Sequence, residues 1–535
     1  MNIPNNDAQV SKKMNPSKTI LLIGNHPLSE NIIKQYQAMG CEVECYSCFA
    51  SVPAVKAYYE LCILSQSGTA DSETLQALED FAQNYPLTPE GQSRPICHLL
   101  LHNKVTLWLL QTLDLYAEIH RKFELYAFTM EDQWAKNVIC GLGKGKLTYP
   151  PLDHEKINTM SNKTVHLVIA GFSDLGESLA LHTALTAHFP NYVRNQSLRT
   201  RITIVDNGLL AKCDAFVQRY ANLFEHSYYR TIDLSQHRIV QYHEPVYQST
   251  RENFVDVEWE FVDGNFYDPL LQRKIKLWSE NKGQLLTLAL CDIDRAKNFD
   301  RAFAMPKTVY DNDIPVFVYV SQADLLNKVR EIEGYSNLYP IGMDSCGYDV
   351  SLPLLKMAKR LHYFYICSFG QKGTPTEMPV DEIETEWRKV ETFNQRYSNI
   401  YNVMTIATKM RTLGHDEKDW DKFFALTQEE IETLSAVEHN RWSVERLILG
   451  FRPPTDTERE EIKLNIESFI AAKKTGGEPP QQDLKNFYKK QKVHYDLCSY
   501  RELREDKTGQ DVRVYDYDLT ACIPLIAQSF YETQP

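Results

Sequence analysis

The chain has 535 residues, is 43% hydrophobic and 24% charged, and carries a net charge of -13. That length implies three or four domains at roughly 150 residues each, and the acidic balance argues against a broad nucleic-acid-binding surface. Twelve scattered cysteines are too few for a disulfide scaffold in a chain this long and read as reduced intracellular thiols.

No basic, apolar leader opens the sequence. The longest apolar runs, such as 107–110 and 285–291, fall far short of the roughly 18 residues that span a bilayer. A cytoplasmic location is the expectation. Residues 1–17 are polar and read as a loose end. Then 19–24 (TILLIG) predicts a buried strand, 29–40 a helix, and 41–46 an alternating second strand. Three more strands follow at 61–64, 96–102 and 123–128, with helices at 72–84, 104–114 and 131–139. Strands alternating with helices mean a parallel α/β sheet. Only Gly24 stands where a phosphate loop needs three glycines, so 1–140 reads as a degenerate Rossmann-like domain. Cys41, Cys45 and Cys48 lie on a strand and its exit, with no second cluster nearby. No metal is expected.

A linker is placed at 141–162, rich in Gly, Lys and Pro at its start. Its Gly-Lys pairs lack the spacing and the Ser/Thr of a Walker loop. The second α/β unit, 163–370, opens on KTVHLVIAGFSDLGESLALHTA: a buried strand, a glycine turn and a helix. Gly171 and Gly176 fit the first and third positions of G-x-G-x-x-G. Ser173 replaces the middle glycine, and Asp174 and Leu175 complete the turn. Further strands are predicted at 201–206, 258–264, 284–292 and 315–321. The second strand ends in Asp206, about 35 residues from the first glycine rather than about 20; residues 186–199 absorb the difference. The fold class is two tandem doubly wound parallel sheets followed by an all-helical part.

The segments VDGNFYDPLLQ (262–272), ALCDIDRAKNFDRAFAM (289–305) and DNDIPVFVYVSQADLLNKV (311–329) resemble the TrkA-N family, the regulatory nucleotide-binding domains of potassium transporters and channels. The resemblance implies a nucleotide site that includes Asp263 after the third strand, and Asp292, Asp294 and Asn298 after the fourth. It also implies NAD(H) or another adenine nucleotide as cofactor, a homo-oligomer, and a membrane channel or other effector as a separate partner chain.

After a helical connection (371–422, with 387–414 helical in period) comes a tail, 423–535. Residues 428–450 form a strong predicted helix with Thr427 as cap and Gly450 as stop. Residues 452–482 read as a charged hairpin or loop. Glu438-His-Asn-Arg-Trp442, Gly450-Phe451, His494-Tyr-Asp-Leu497, Tyr500 and Leu503, with Ile523-Pro524, resemble the RyR domain, a small helical repeat named from ryanodine receptors and also found in bacterial proteins. An arginine beside an indole forms an anion-binding corner, so Glu438, Asn440, Arg441, Trp442, His494 and Tyr500 are expected to line a ligand pocket. The alternative is that Trp442 is core and that Glu438 and Arg441 serve folding.

No nucleophile elbow, zinc-protease motif or Cys-His pairing motif is present, and no catalytic residue is assigned. The expected function is a nucleotide-sensing regulator without enzymatic activity. Two other readings stand beside it: an NAD(P)-dependent oxidoreductase, and a scaffold that binds no ligand.

Overall fold

The computed structural model describes residues 18–53, 56–89, 93–113, 115–140, 149–245, 252–344, 347–369, 379–390, 393–415, 420 and 424–532. The linker stretch 141–148 and most of the polar connection at 371–378 lie outside them. The chain divides into two compact units. The first comprises 1–107, 115–129 and 348–350, and the second the remainder.

In the first unit five strands, β1 (Thr19–Ile23), β2 (Glu42–Tyr46), β3 (Glu60–Leu64), β4 (Ile96–Leu100) and β5 (Glu124–Phe128), form one parallel sheet in the order β2-β1-β3-β4-β5. The apolar runs of β1, β3, β4 and β5 are buried because helices of a parallel sheet cover both faces; β2, at the edge, is exposed or partly exposed throughout. The order reverses between β1 and β3, which makes their carboxyl ends the switch point. There Gly24 has a φ of +103°, and a Cβ on it would lie 2.2 Å from the Leu64 carbonyl oxygen. The turn thus lies directly against β3. Far along the chain, Tyr348–Val350 returns to this unit. The Tyr348 ring stacks on Phe128 at 4.0 Å, its hydroxyl meets His98 Nδ1 at 2.5 Å, and the Gln35 amide donates to its carbonyl at 2.8 Å.

The second unit carries an eight-stranded sheet: β6 (Thr164–Ala170), β7 (Thr200–Asp206), β8 (Tyr228–Asp233), β9 (Arg238–His243), β10 (Val257–Asp263), β11 (Gln284–Leu290), β12 (Val316–Tyr319) and β13 (Leu338–Ile341). The order is β13-β12-β11-β6-β7-β10-β8-β9. Without β8 and β9 this is the doubly wound 3-2-1-4-5-6 arrangement of a Rossmann sheet. Neither the edge strand β13 nor the hairpin β8–β9 was predicted. The hairpin's inner strand pairs parallel with β10, and its outer strand pairs antiparallel with the inner one, with a register shift between Thr231 and Ile232. The core of the sheet is continuous, from Val168 and Leu288 through Val262 and Val318 to Leu338.

The described residues after β13 form helices, with isolated bridges Arg452–Val493 and Glu505–Asp511. Helix Pro353–Phe369 leads to Val380–Arg388, Phe393–Met404 and Ile406–Thr412. Helix Gln428–Ile448 is set at its start by a capping box: Thr427 Oγ1 accepts the Glu430 N–H at 3.3 Å, and Glu430 accepts the Thr427 N–H at 2.7 Å. It stops before Gly450, whose φ is +81°. The predicted loop at 452–482 is instead mostly helix, Asp456–Thr475, with a second capping box between Thr455 and Glu458 and Gly476 at its end. Its sequence is polar because only one stripe, with Ile462 and Ile466, is buried.

Candidate functional site

The carboxyl edge of the second sheet, where the order reverses between β6 and β11, is where doubly wound sheets take ligands. Two of its three fingerprint positions need glycine. Gly171 has a φ of +107°, and a Cβ there would lie 2.3 Å from the Asp292 backbone nitrogen. On Gly176 a Cβ would lie 2.4 Å from the Gly171 carbonyl oxygen. Ser173 is the N-cap of helix Asp174–Thr186, and its hydroxyl accepts the Gly176 N–H at 3.4 Å. Asp174 adds a carboxylate to the first turn, and Leu175 is buried. The helix end that would hold a pyrophosphate therefore already carries a cap and a negative charge.

The three acids of this edge are engaged as well. Asp206 accepts from the Phe172 N–H at 3.2 Å, its neighbour Asn207 N–H at 2.9 Å and Lys212 Nζ at 2.6 Å. Asp263 accepts from the Gly208 and Leu210 N–H groups at 2.8 and 3.3 Å. Asp292 accepts from Arg301 at 2.9 Å and the Asp294 N–H at 3.0 Å. Asn298 is buried and ties the Asp292 backbone to the Tyr319 carbonyl. A cavity of about 350 Å³ remains, lined by Asp206, Asn207, Asn265, Phe266, Asp292 and Arg301 among others. A ribose entering it would compete with bonds the chain makes to itself.

A larger cavity, about 650 Å³, lies in the helical part. Its back wall is a buried ion network on helix Gln428–Ile448, whose i, i+3 and i, i+4 positions share a face. Arg441 Nε donates to both Glu438 oxygens at 2.9 and 3.0 Å, and Arg441 Nη1 donates to Glu445 at 2.6 Å. Lys409 donates to Glu438 at 2.5 Å, and Arg446 pairs with Glu445 at 2.9 Å. Burial raises the Glu438 carboxyl, but Arg441 and Lys409 outweigh it and hold it down to about 2. Arg441, expected as an anion-binding group, is thus spent on its own helix. Asn440 is buried and Tyr500 lies beside His439, rings 5.9 Å apart; neither lines the cavity, whereas Glu438, Arg441, Trp442 and His494 do.

Trp442 is half-buried, with His494 edge-on at 4.8 Å and His439 stacked at 5.6 Å. His494 is kept neutral by burial, well below its ordinary value. His439 behaves oppositely. Its Nδ1 faces the Asp516 carboxylate at 3.1 Å and its Nε2 the Cys498 carbonyl at 2.9 Å, so both nitrogens face acceptors. Burial alone would lower it, yet Asp516 and these two bonds carry it up to about 10. Burial also raises the Asp516 carboxyl, so the two groups hold a proton between them, and the two acceptors at the ring favour its protonated form.

Three groups that the sequence did not single out complete the cavity. Arg446 sits over the Trp442 ring at 5.6 Å with its Nε lacking a hydrogen-bond partner. Lys489 is an exposed side chain that also lines the cavity. Asn402, on helix Phe393–Met404, is 2% exposed, and neither its Oδ1 nor its Nδ2 has a partner. Arg446 was within reach of a sequence argument, being four residues after Trp442. Asn402 and Lys489 carry no such signal, since they come from segments about 40 residues away on either side. The lining runs from Leu361 to Leu519 and crosses the 422/423 boundary drawn from sequence.

Among the described residues no group of three or more His, Cys, Asp or Glu is arranged to hold a metal, and no helix is long and apolar enough to cross a membrane. No protein-family model matches the chain, and no curated protein matches it. Among solved structures it is similar to a D-isomer specific 2-hydroxyacid dehydrogenase from Lactobacillus delbrueckii ssp. bulgaricus, in its NAD-complexed form. The two share 10% identity over 74% of this chain and 97% of that one, with a TM-score of 0.19. A superposition that loose carries no argument about function.

Proposed function

We propose that the protein is a nucleotide-sensing regulator without enzymatic activity, and that its sensing site is the cavity in the helical part rather than the crevice of the Rossmann-like sheet. One observation carries the choice. The helical cavity is lined by an aromatic face, Trp442, with Arg446 over it, and by Asn402, whose amide has no partner at either atom, whereas the carboxylates of the crevice are all hydrogen-bonded within the chain and, of its described buried atoms, only the Arg301 Nε lacks a partner. A volume of about 650 Å³ is in the range of small-molecule sites. The likeness of the tail to RyR domains and of the second sheet to TrkA-N domains supports a regulator that signals to a separate chain, a potassium channel or another effector, from a homo-oligomer. The coupling would be a shift in how the helices around the cavity pack, biased by the ligand.

The test is a thermal-shift panel of dinucleotides, adenine nucleotides and cyclic nucleotides on the full chain. At a ligand concentration of 100 times Kd, binding stabilises the folded state by about 2.7 kcal/mol, which is a shift of a few degrees. The shift is expected to vanish in Trp442→Ala and to persist in Asp206→Ala. The reverse pattern would move the site to the crevice. No shift with any member of the panel would sink the sensor reading, and turnover of a nicotinamide cofactor would replace it with an oxidoreductase.

A further inference from the structure

Asn402 is the least expected side chain in the helical cavity. An asparagine amide offers one acceptor and two donors, and leaving these unpaired inside a protein opposes folding. Asn402 nevertheless lines the cavity with both amide atoms unpartnered and 2% exposed. One turn before it, the Ser398 hydroxyl meets Glu445 at 3.3 Å, so this helix faces the ion network directly.

That network has a surplus of positive charge. Lys409, Arg441 and Arg446 face only Glu438 and Glu445. Toward the rim, Lys389 pairs with Glu386, Lys485 with Asp496 and Lys507 with Asp483. Lys489 has no ion-pair partner among the described residues. Arg446 and Lys489 both line the cavity, along with the acids Asp496, Asp506 and Asp516, and two cations without full ion pairing that face one space suit an anion. The partly exposed Trp442 ring lines the same cavity as the amide and the cations, a surface on which any nucleobase stacks.

We infer that the cavity holds a phosphorylated ribonucleoside base-inward, its base edge hydrogen-bonded by Asn402 and its phosphate held by Arg446 and Lys489. This rests on the nucleotide-sensing reading and adds an orientation to it. An amide matches a base edge on which a donor lies beside an acceptor, as the N6 amino group and N7 of adenine do. Because the amide comes from helix Phe393–Met404 and the cations from 446 and 489, the site is composite, and ligand would tie the segment before residue 422 to the tail after it.

Titration calorimetry of the full chain with AMP, adenosine and ribose 5-phosphate tests the orientation. AMP should bind at least ~10-fold more tightly than either fragment. Asn402→Leu should weaken AMP and adenosine by ~10-fold or more, the scale of one lost bidentate base contact, and leave ribose 5-phosphate unchanged. Lys489→Gln should weaken AMP and ribose 5-phosphate and leave adenosine unchanged. Asn402→Leu should also raise the melting temperature of the protein without ligand, because it removes an unpaired buried amide; a lower melting temperature would show the amide to be part of the fold and overturn the inference. AMP binding that is equal in both variants and the parent also overturns it, as does a chain that binds other nucleotides but not AMP, and in both cases the sensor reading survives. Silence toward every nucleotide overturns both.

Discussion

The crevice at the carboxyl edge of the second sheet and the cavity among the helices are opposite solutions to one problem. Both bring charged and polar side chains into a concave place. In the crevice each carboxylate is answered locally: Asp206 by Lys212 and two N–H groups, Asp292 by Arg301, Asp263 by the Gly208 and Leu210 N–H groups at the start of the helix after β7. Of the described buried atoms there, only the Arg301 Nε lacks a partner. In the cavity the carboxylates of the ion network are answered, but the Asn402 amide and the Arg446 Nε lack partners. The proposed function rests on this difference, with the sheet edge expected to be inert and the helical pocket receptive. Pairing within the chain, not the fold, separates them.

The largest expected effect tests the answered part of the cavity. Glu438→Ala leaves Lys409 and Arg441 buried without their shared carboxylate, and it should cost about 3–5 kcal/mol in denaturant unfolding. A cost below about 1 kcal/mol would mean that the network is not as desolvated as its burial indicates. Next, Gly171→Ala should lose at least about 2 kcal/mol, since it combines a left-handed φ with a Cβ driven into the Asp292 backbone. Wild-type stability here would mean that the β6 turn can move aside.

A pH titration separates the His439 pair from the rest. Its folded value, about 10, is raised above the ordinary 6.5. The stabilisation is therefore complete below about pH 6.5 and fades as pH rises through about 10. His439→Gln should flatten that alkaline loss; an unchanged slope would mean that the ring is neutral and Asp516 holds the proton. The smallest effect belongs to the crevice: Asp206→Ala breaks a pair whose lysine is 51% exposed, so it should change stability by less than about 1 kcal/mol. A large loss of stability or of nucleotide binding in that variant would reverse the ranking of the two sites.

Ten of the thirteen strands were legible because buried parallel strands are written as short continuous apolar runs, TILLI and TVHLVIA being examples; β13 was missed because LYPI is only four residues long and contains a proline. The β8–β9 hairpin was not legible, because all but the last residue of β9 are exposed and its sequence, RIVQYH, shows no alternation to follow. The helix Asp456–Thr475 was hidden by its charge. Of the residues expected in a pocket, Glu438, Arg441, Trp442 and His494 line the cavity, but Arg441, singled out for standing beside an indole, is the one already saturated. Arg446 and Asn402 are what remain open. Partner saturation is a three-dimensional property, and no spacing in the sequence reports it.

The return of Tyr348–Val350 to the first sheet has a consequence in time. Ribosomes add about 5–20 residues per second, and domains fold as they emerge. The strand-bearing part of the first unit ends at Thr129, but its last segment follows roughly 220 residues later, an interval of about 10–45 s at that speed. Throughout it, the Phe128 face that Tyr348 will cover and the His98 nitrogen that its hydroxyl will meet are exposed on a nascent chain. The amino-terminal unit, first to be made, is among the later ones to be finished, and a truncation before residue 348 would leave it open for good.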